Sequence, residues 1–372
     1  MKNNLVVIPY SEGYFCQLID FLRKNWAPNH LIYNKQLFDW QYGGMASDFS
    51  SNKLLIDESN AIQGFLGAVS YPFLFNNEFK KAAGLSVWIV DKEVRNSGAG
   101  SLLKTTIEDS FDIVYAIGIN LDTVRYYKKY NYNFFDGLYR YVIPLDLGGY
   151  QLFLNSPHNV EDVKNWFDTI AFTRAAHPTI DFCANILSET YANCVAPHFS
   201  FCPHKDVDFW RWRYLESKGF TYMFFQGKGG IVLFRIECAH SPSDSLRHGI
   251  KCLRIIEILP NNGNVWENIA DQDLSETLLA VVTWAKNQGC VLADFQISNS
   301  RLSHILQTIG FKHQSDIGIT NVARLFRPYK VDVFPLNFAY RIPRDNEFVK
   351  IDREETYLLK SDSDMDRPNF LQ

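Results

Sequence analysis

The strongest chemical signal in the sequence is the run Val90-Asp91-Lys92-Glu93-Val94-Arg95-Asn96-Ser97-Gly98-Ala99-Gly100. It follows a stretch that reads as a strand and precedes one that reads as a helix. A strand, a glycine-containing turn and a helix N-terminus together suit a phosphate. Backbone N–H groups point into the loop, glycine lets a ligand approach closely, and the helix dipole favours negative charge. Arg95 adds a fixed cation. No Lys-Ser/Thr pair follows as in a Walker loop, and the glycine spacing differs from a dinucleotide fingerprint. The same residues also suit an ordinary strand-to-helix turn whose glycines serve only its geometry.

The elements around this run alternate. Leu5–Ile8 reads as a strand, and Ser11 suits the cap of a helix whose apolar positions are Phe15, Leu18, Ile19 and Leu22. A short helical piece lies around Phe38–Tyr42. Lys53–Asp57, Ala61–Phe75 and Ala82–Val90 read as a meander, followed by helix Ser101–Phe111, strand Ile113–Ile119, helix Leu121–Tyr130 and a strand near Leu138–Ile143.

The second half repeats this order. Trp40-Gln41-Tyr42 is echoed by Trp212-Arg213-Tyr214, and Tyr127-Lys128-Lys129-Tyr130-Asn131-Tyr132 by Leu306-Gln307-Thr308-Ile309-Gly310-Phe311. Between these anchors stand strands Tyr222–Phe225, Gly230–Arg235 and Leu253–Leu259, helix Leu274–Gln288, strand Val291–Ile297 and helix Ser300–Ile309. The organisation expected is 1–147, a helical connector 148–197, 198–330, and a tail 331–372.

Composition narrows the function. The chain has 372 residues, 47% hydrophobic, 15% aromatic and 21% charged, which excludes a disordered protein and suggests about two domains. A net charge of −4 without a basic cluster argues against nucleic-acid binding. Seven scattered cysteines read as reduced residues of a cytoplasmic protein rather than a disulfide framework. The charge-free stretch Ser59–Asn77, with Gly64, Gly67 and Pro72, reads as two short strand pieces and not as a membrane span.

The loop resembles the Arg/Gln-x-x-Gly-x-Gly/Ala signature of the GCN5-related N-acetyltransferase (GNAT) superfamily. So does the pairing of Asn120 with Tyr127 further on; Asn131-Tyr132 replaces the superfamily's Gly-Phe pair. The resemblance covers 1–145 well and 200–330 weakly. It implies an α/β (α+β) fold class, with two GNAT-like domains, each a mixed, mainly antiparallel sheet flanked by helices. It implies acetyl-CoA or another acyl-CoA as co-substrate, with no metal. Backbone amides across Arg95, Asn96, Ser97, Gly98, Ala99 and Gly100 would bind the pyrophosphate. Ile89 and Val90 would align the pantetheine arm in a cleft where their strand splays from its neighbour. Asn120 would contact the cofactor arm or the loop, and Tyr127 would protonate the departing thiolate. Tyr126 is adjacent, and only one of the two faces the cleft.

The general base stays open. Strand Leu85–Val90 carries no acid, and Asp91 and Glu93 lie beyond it in the loop. The second half has Pro260–Val265 in place of the loop and Leu306 in place of Tyr127, so it is expected to pack against the first copy and wall the acceptor site. Tyr71 and Trp88 are the expected acceptor contacts. The acceptor expected is a small amine, with a nucleotide-linked amino sugar of surface polysaccharide synthesis as one candidate. The alternatives are an aminoacyl transferase of the peptidoglycan-precursor type and a non-catalytic acyl-CoA-binding protein.

Two weaker constellations remain. Cys194, His198, Cys202 and His204 match no familiar zinc spacing and read as a loop scatter. The acidic run Asp362–Asp366 and Arg367–Asn369 after it begins like a calcium loop but lacks the required Gly and Glu. This tail is either solvated or folded over the acceptor cleft to meet a cationic sugar.

Overall fold

The computed structural model describes residues 4–154, 160–315, 320–330, 335–344 and 347–366. The first half contributes β1 (Val6–Pro9), α1 (Phe15–Asn25), α2 (Lys35–Gly43), β2 (Lys53–Ile56), β3 (Ile62–Phe75) and β4 (Glu78–Val90). It continues with α3 (Ala99–Glu108), β5 (Ile113–Ile117), α4 (Leu121–Lys129), β6 (Asn133–Phe135) and β7 (Tyr139–Pro144). Helices α5 (Leu147–Leu152) and α6 (Val160–Asp168) lead into the second half. There follow α7 (Ala184–Cys194), β8 (Phe201–Pro203), α8 (Val207–Trp210, prolonged by a π-helical turn to Leu215), β9 (Met223–Gln226), β10 (Gly230–Cys238) and β11 (Lys251–Pro260). The remainder is α9 (Gln272–Asn287), β12 (Cys290–Ile297), α10 (Ser303–Thr308), β13 (Lys312–His313), β14 (Leu325–Phe326), β15 (Tyr329–Lys330) and β16 (Phe338–Arg341).

Two large sheets result. One runs β1-β2-β3-β4-β5-β16-β6, with β8 on the far end of β3; the other runs β13-β7-β12-β11-β10-β9. Both are mainly antiparallel, with a single parallel pair each, β4 with β5 and β11 with β12. The halves exchange a strand. β7, within the stretch expected to close the first domain, lies between β12 and β13, whereas β16, within the expected tail, lies between β5 and β6. Trp40 and Trp212 meet at the centre: each indole Nε1 donates to the other's carbonyl, both at 2.8 Å.

Helices cover the sheets through apolar stripes. In α1, Leu18, Ile19, Phe21 and Leu22 are buried at helical spacing while Gln17 and Asp20 face out. In α3, Leu103 and Ile107 sit against the first sheet. Each such side chain contributes about 1.5–3 kcal/mol of transfer free energy.

Two local expectations change. Ser11 makes no side-chain cap; it precedes a 3₁₀ turn, Glu12–Tyr14, and α1 begins only at Phe15. The charge-free stretch is one strand, Ile62–Phe75, rather than two pieces. It joins β4 through Asn76 and Asn77 at φ 50° and 64°, left-handed positions that asparagine tolerates and that match the twist of a hairpin. Among the described residues no helix is long and apolar enough to cross a membrane.

Candidate active-site cleft

The cleft arises where β4 loses a partner. Its parallel ladder with β5 runs from Ala82–Ile113 to Leu85–Ala116 and stops, while β4 continues to Val90. On its other side, Leu66 pairs with Trp88 but Ala68 with Leu85, so β4 carries an extra residue opposite Gly67. A bulge of this kind bends and twists its strand. Gly67 is needed there, since a Cβ would stand 2.6 Å from the Tyr42 ring. Ser86 Oγ pins the bulge, donating to Tyr42 Oη at 3.0 Å. Bulge and splay together leave a cavity of about 320 Å³ whose lining includes Trp88, Ile89, Gly118, Asn120, Tyr127 and Asp364.

The loop at the end of β4 is built by local hydrogen bonds. Asp91 is buried, accepts from Glu93 N–H at 3.0 Å and pairs with Lys24 at 3.1 Å. The Glu93 N–H, aided by Lys24, holds the Asp91 carboxyl below its usual range. It is a structural cap, not a solvated acid, whereas Glu93 is exposed. Arg95 is exposed, and its Nε donates back to the Val90 carbonyl at 3.2 Å. Ser97 Oγ donates to the Val94 carbonyl at 2.7 Å. Asn96 and Gly98 adopt φ 66° and 91°, which turns the chain into α3 at Ala99. The first N–H groups of α3 have no intrahelical acceptor by construction, and they follow directly on the exposed Arg95–Gly98 turn. Gly100 lies against Trp88, a Cβ there being 3.5 Å from its indole.

The residues present fit an acyl-CoA on three counts: an N–H-rich turn at one end, a strand edge beyond the end of its parallel ladder along the side, and an unsatisfied buried N–H in the wall. Trp88 Nε1 is buried with no hydrogen-bond partner among the described residues. Tyr127 is 4% exposed and lines the cavity. Burial, with Tyr126 and Glu108 adding to it, pushes its phenol above the ordinary value, so it stays protonated. Tyr126 turns away from the cavity and packs edge-on against Trp88 and over Lys104. Asn120 caps α4, its Oδ1 accepting from Asp122 N–H at 3.1 Å, and also reaches the cavity wall.

The two aromatic residues expected at the acceptor part company. Trp88 lines the cleft on the side of α3 and α4. Tyr71 does not: the alternation of β3 turns it into the core between the sheets. Its hydroxyl sits 2.7 Å from Tyr115 Oη and 2.7 Å from the Asp362 carbonyl. The cleft also holds Trp26 at the end of α1, which the sequence reading did not single out, and Asp364 and Met365 of the C-terminal segment, whose folding over the cleft was one of its two expectations. That segment is not solvated. Tyr357, Leu358, Leu359, Asp362 and Asp366 are fully buried, while Arg367–Asn369 lie outside the described residues.

The second sheet opens in the same way and is filled. The β11–β12 ladder ends at Arg254–Asp294 while β11 continues to Pro260. Into the opening comes the C-terminal segment: Leu359 bridges to Ile297, Ser298 N–H donates to the Leu358 carbonyl at 2.9 Å, and Tyr357 Oη donates to Glu257 at 2.8 Å. Leu306, expected from the sequence echo to stand where Tyr127 does, is fully buried. The Cys194, His198, Cys202 and His204 set is scattered: Cys194 Sγ donates to the Asn261 carbonyl, Cys202 is buried, and His204 packs on Phe79. Among the described residues no group of three or more His, Cys, Asp or Glu converges on one point.

This architecture is the fold of the GCN5-related N-acetyltransferases. Over 91% of its length the chain matches a conserved protein of unknown function and probable N-acyltransferase from Enterococcus faecalis V583 (TM-score 0.55, 10% identity, 72% of that chain). It matches a GCN5-related N-acetyltransferase from Anabaena variabilis similarly (91%, TM-score 0.55, 12% identity, 73% of that chain). The N-myristoyltransferase of Saccharomyces cerevisiae, solved with bound myristoyl-CoA, matches over 91% of the chain and 79% of its own (TM-score 0.54, 10% identity). No protein-family model matches the sequence, and no curated protein does so either.

Proposed function

We propose that the protein is an acyl-CoA-dependent N-acyltransferase, using acetyl-CoA or a related acyl-CoA, that acylates the amine of a small acceptor directly in a ternary complex. Amino sugars are one acceptor class of the right chemistry. The observation that carries the reading is the conjunction of the Arg95–Gly100 turn, the β4 edge beyond its parallel ladder and the Tyr127 phenol along one cleft.

The amides of Arg95–Gly100 and the Arg95 guanidinium hold the pyrophosphate, while Ile89 and Val90 offer backbone groups to the pantetheine arm. Asn120 borders that arm. Bound acyl-CoA supplies a thioester carbon as electrophile and a sulfur as leaving group. A deprotonated acceptor nitrogen forms the C–N bond as the C–S bond breaks, and Tyr127 gives its proton to the sulfur. Of the two protons that the nitrogen sheds, one goes to a base and one restores Tyr127. The products are an amide, a free thiol and one proton. We read the chain as this fold used twice, the second copy serving as scaffold; the exchanged strands and the reciprocal Trp40–Trp212 bonds support that reading.

The test is thiol release from acetyl-CoA in the presence of a panel of primary amines that includes amino sugars. Release that depends on the amine is expected. Tight acetyl-CoA binding without any amine-dependent release would make the protein an acyl-CoA-binding module instead.

A further inference from the structure

An acyl-CoA whose pyrophosphate sits on the Arg95–Gly100 turn runs back along β4. Its acyl group then lies at the far end of the cleft, where the β4–β5 ladder closes at Leu85–Ala116. That end is packed from both faces of the first sheet. On the face of α3 and α4, Leu85, Ala116 and Tyr127 belong to one buried cluster. On the opposite face Tyr115 fills the space over Gly84, where a Cβ would stand 2.6 Å from its ring, and its hydroxyl donates to the Asp362 carbonyl at 2.7 Å. Past the ladder the chain turns at Gly118, φ 77°, and a side chain of the C-terminal segment lies on that glycine. A Cβ there would stand 2.7 Å from Met365 Sδ and 3.0 Å from its Cε and Cγ. Met365 lines the same cavity as Leu85 and Tyr127.

Met365 is held in place by a strap with an anchor on each side. Before it, Lys205 Nζ reaches Glu257 at 2.8 Å and Asp362 at 2.9 Å, all three side chains being fully buried. After it, Asp366 pairs with Arg235 at 2.7 Å and accepts from Tyr222 Oη at 2.7 Å. Arg213 ties the span together, donating to the carbonyls of Ser361 and Ser363 at 2.9 Å and of Asp366 at 3.3 Å. Met365 N–H itself donates to Ser363 Oγ at 3.1 Å. With the backbone fixed in this way, only the torsions of the methionine side chain can yield to a ligand.

We propose that Met365 is the stop of the acyl pocket, that the donor is therefore a short-chain acyl-CoA, and that the anchored strap sets this limit. This rests on the acyltransferase reading above and adds to it the acyl class of the donor. Each methylene beyond an acetyl group needs room that Leu85, Tyr115 and Met365 already occupy, and a packed interior yields poorly to added volume. Leu85 and Tyr115 are built into the strands of the ladder itself. Met365 is an unbranched side chain laid against it from the far end of the sequence, so shortening it enlarges the pocket without cutting the sheet. The second half of the molecule thus bears on the choice of donor through the strap that it clamps.

The experiment titrates the full chain with free CoA and with acetyl-, butyryl- and octanoyl-CoA by calorimetry, in wild type, Met365→Val and Met365→Ala. Urea midpoints establish that each variant is folded, and Met365→Val, the smaller removal, carries the test if Met365→Ala is not. Wild type is expected to bind acetyl-CoA at least about tenfold more tightly than octanoyl-CoA, the order by which a pocket without room for a methylene discriminates. In Met365→Ala that ratio is expected to narrow about tenfold through tighter octanoyl-CoA binding, with acetyl-CoA affinity kept within about threefold and Met365→Val falling between. A wild type that binds octanoyl-CoA as tightly as acetyl-CoA overturns the inference and leaves the acyltransferase reading standing. So does a ratio that the substitutions leave unchanged in folded protein. A wild type that binds neither free CoA nor any acyl-CoA overturns that reading and this inference with it.

Discussion

The two parallel ladders of this molecule end early in the same manner and have opposite fates. Beyond Leu85–Ala116 the first opens onto a cavity of about 320 Å³, whereas beyond Arg254–Asp294 the second is sealed by Tyr357, Leu358 and Leu359. A splayed pair of strands is thus not in itself a site. What enters the gap decides, and here one C-terminal strap both plugs the second opening and walls the first. Loops follow the same division. After β4 the chain makes an N–H-rich turn with two left-handed residues; after β11 Asn262 caps a 3₁₀ turn, Gly263–Glu267, that carries no arginine.

The comparison breaks most severely at the strap's anchors. Lys205→Met leaves Glu257 and Asp362 buried without their cation, an arrangement that costs about 3–5 kcal/mol. Urea unfolding of the variant is expected to show that loss, and acceptor turnover is expected to fall further than acetyl-CoA affinity. Unchanged stability would mean that the strap is not held by this triad.

The paired positions Tyr127 and Leu306 sharpen it at the next level. Tyr127→Phe is expected to lower kcat about 10- to 100-fold with little change in acetyl-CoA affinity or unfolding midpoint. Leu306→Ala, a cavity in a packed core, is expected to cost about 2–5 kcal/mol while kcat per folded molecule is kept. The reverse pattern would exchange the roles of the two openings.

The smallest effect is one of pH. Burial opposes ionisation of Glu237 and Asp366, but Arg254 and Arg235 beside the first, and Arg235 with Lys360 beside the second, more than offset it. Both carboxyls are held at about 2. Each carboxyl is depressed below its unfolded value near 4, so each stabilises fully above that value and loses its contribution as pH falls from about 4 to about 2. Unfolding midpoints measured across that window are expected to drop, and Asp366→Asn is expected to flatten the slope.

Much of this was legible beforehand because it is local. The strand–turn–helix signature at Val90–Gly100 and the Asn120–Tyr127 pair lie within short spans where spacing carries meaning. The Trp40 and Trp212 echo likewise marks two residues that meet across the molecule's centre. Non-local choices were not legible. Nothing in the spacing of Tyr139–Pro144 or Phe338–Arg341 says that the halves exchange these strands, because either sheet satisfies their pattern equally. Nor does Asp362–Asp366 announce burial: five residues with three carboxylates suit a solvated tail as well as one folded over the cleft until Lys205, Arg213 and Arg235 are seen to converge on them. Tyr71 was misplaced for the same reason, since its face of β3 is set by the sheet packed behind it.

The most direct test of the central claim, that only the first opening takes an acyl-CoA, is a calorimetric titration of the full chain with acetyl-CoA. One site per chain is expected, and Gly98→Glu, which puts a negative charge and a strained left-handed side chain into the Arg95–Gly100 turn, is expected to abolish it. Two sites per chain, or one that Gly98→Glu leaves intact, would contradict it.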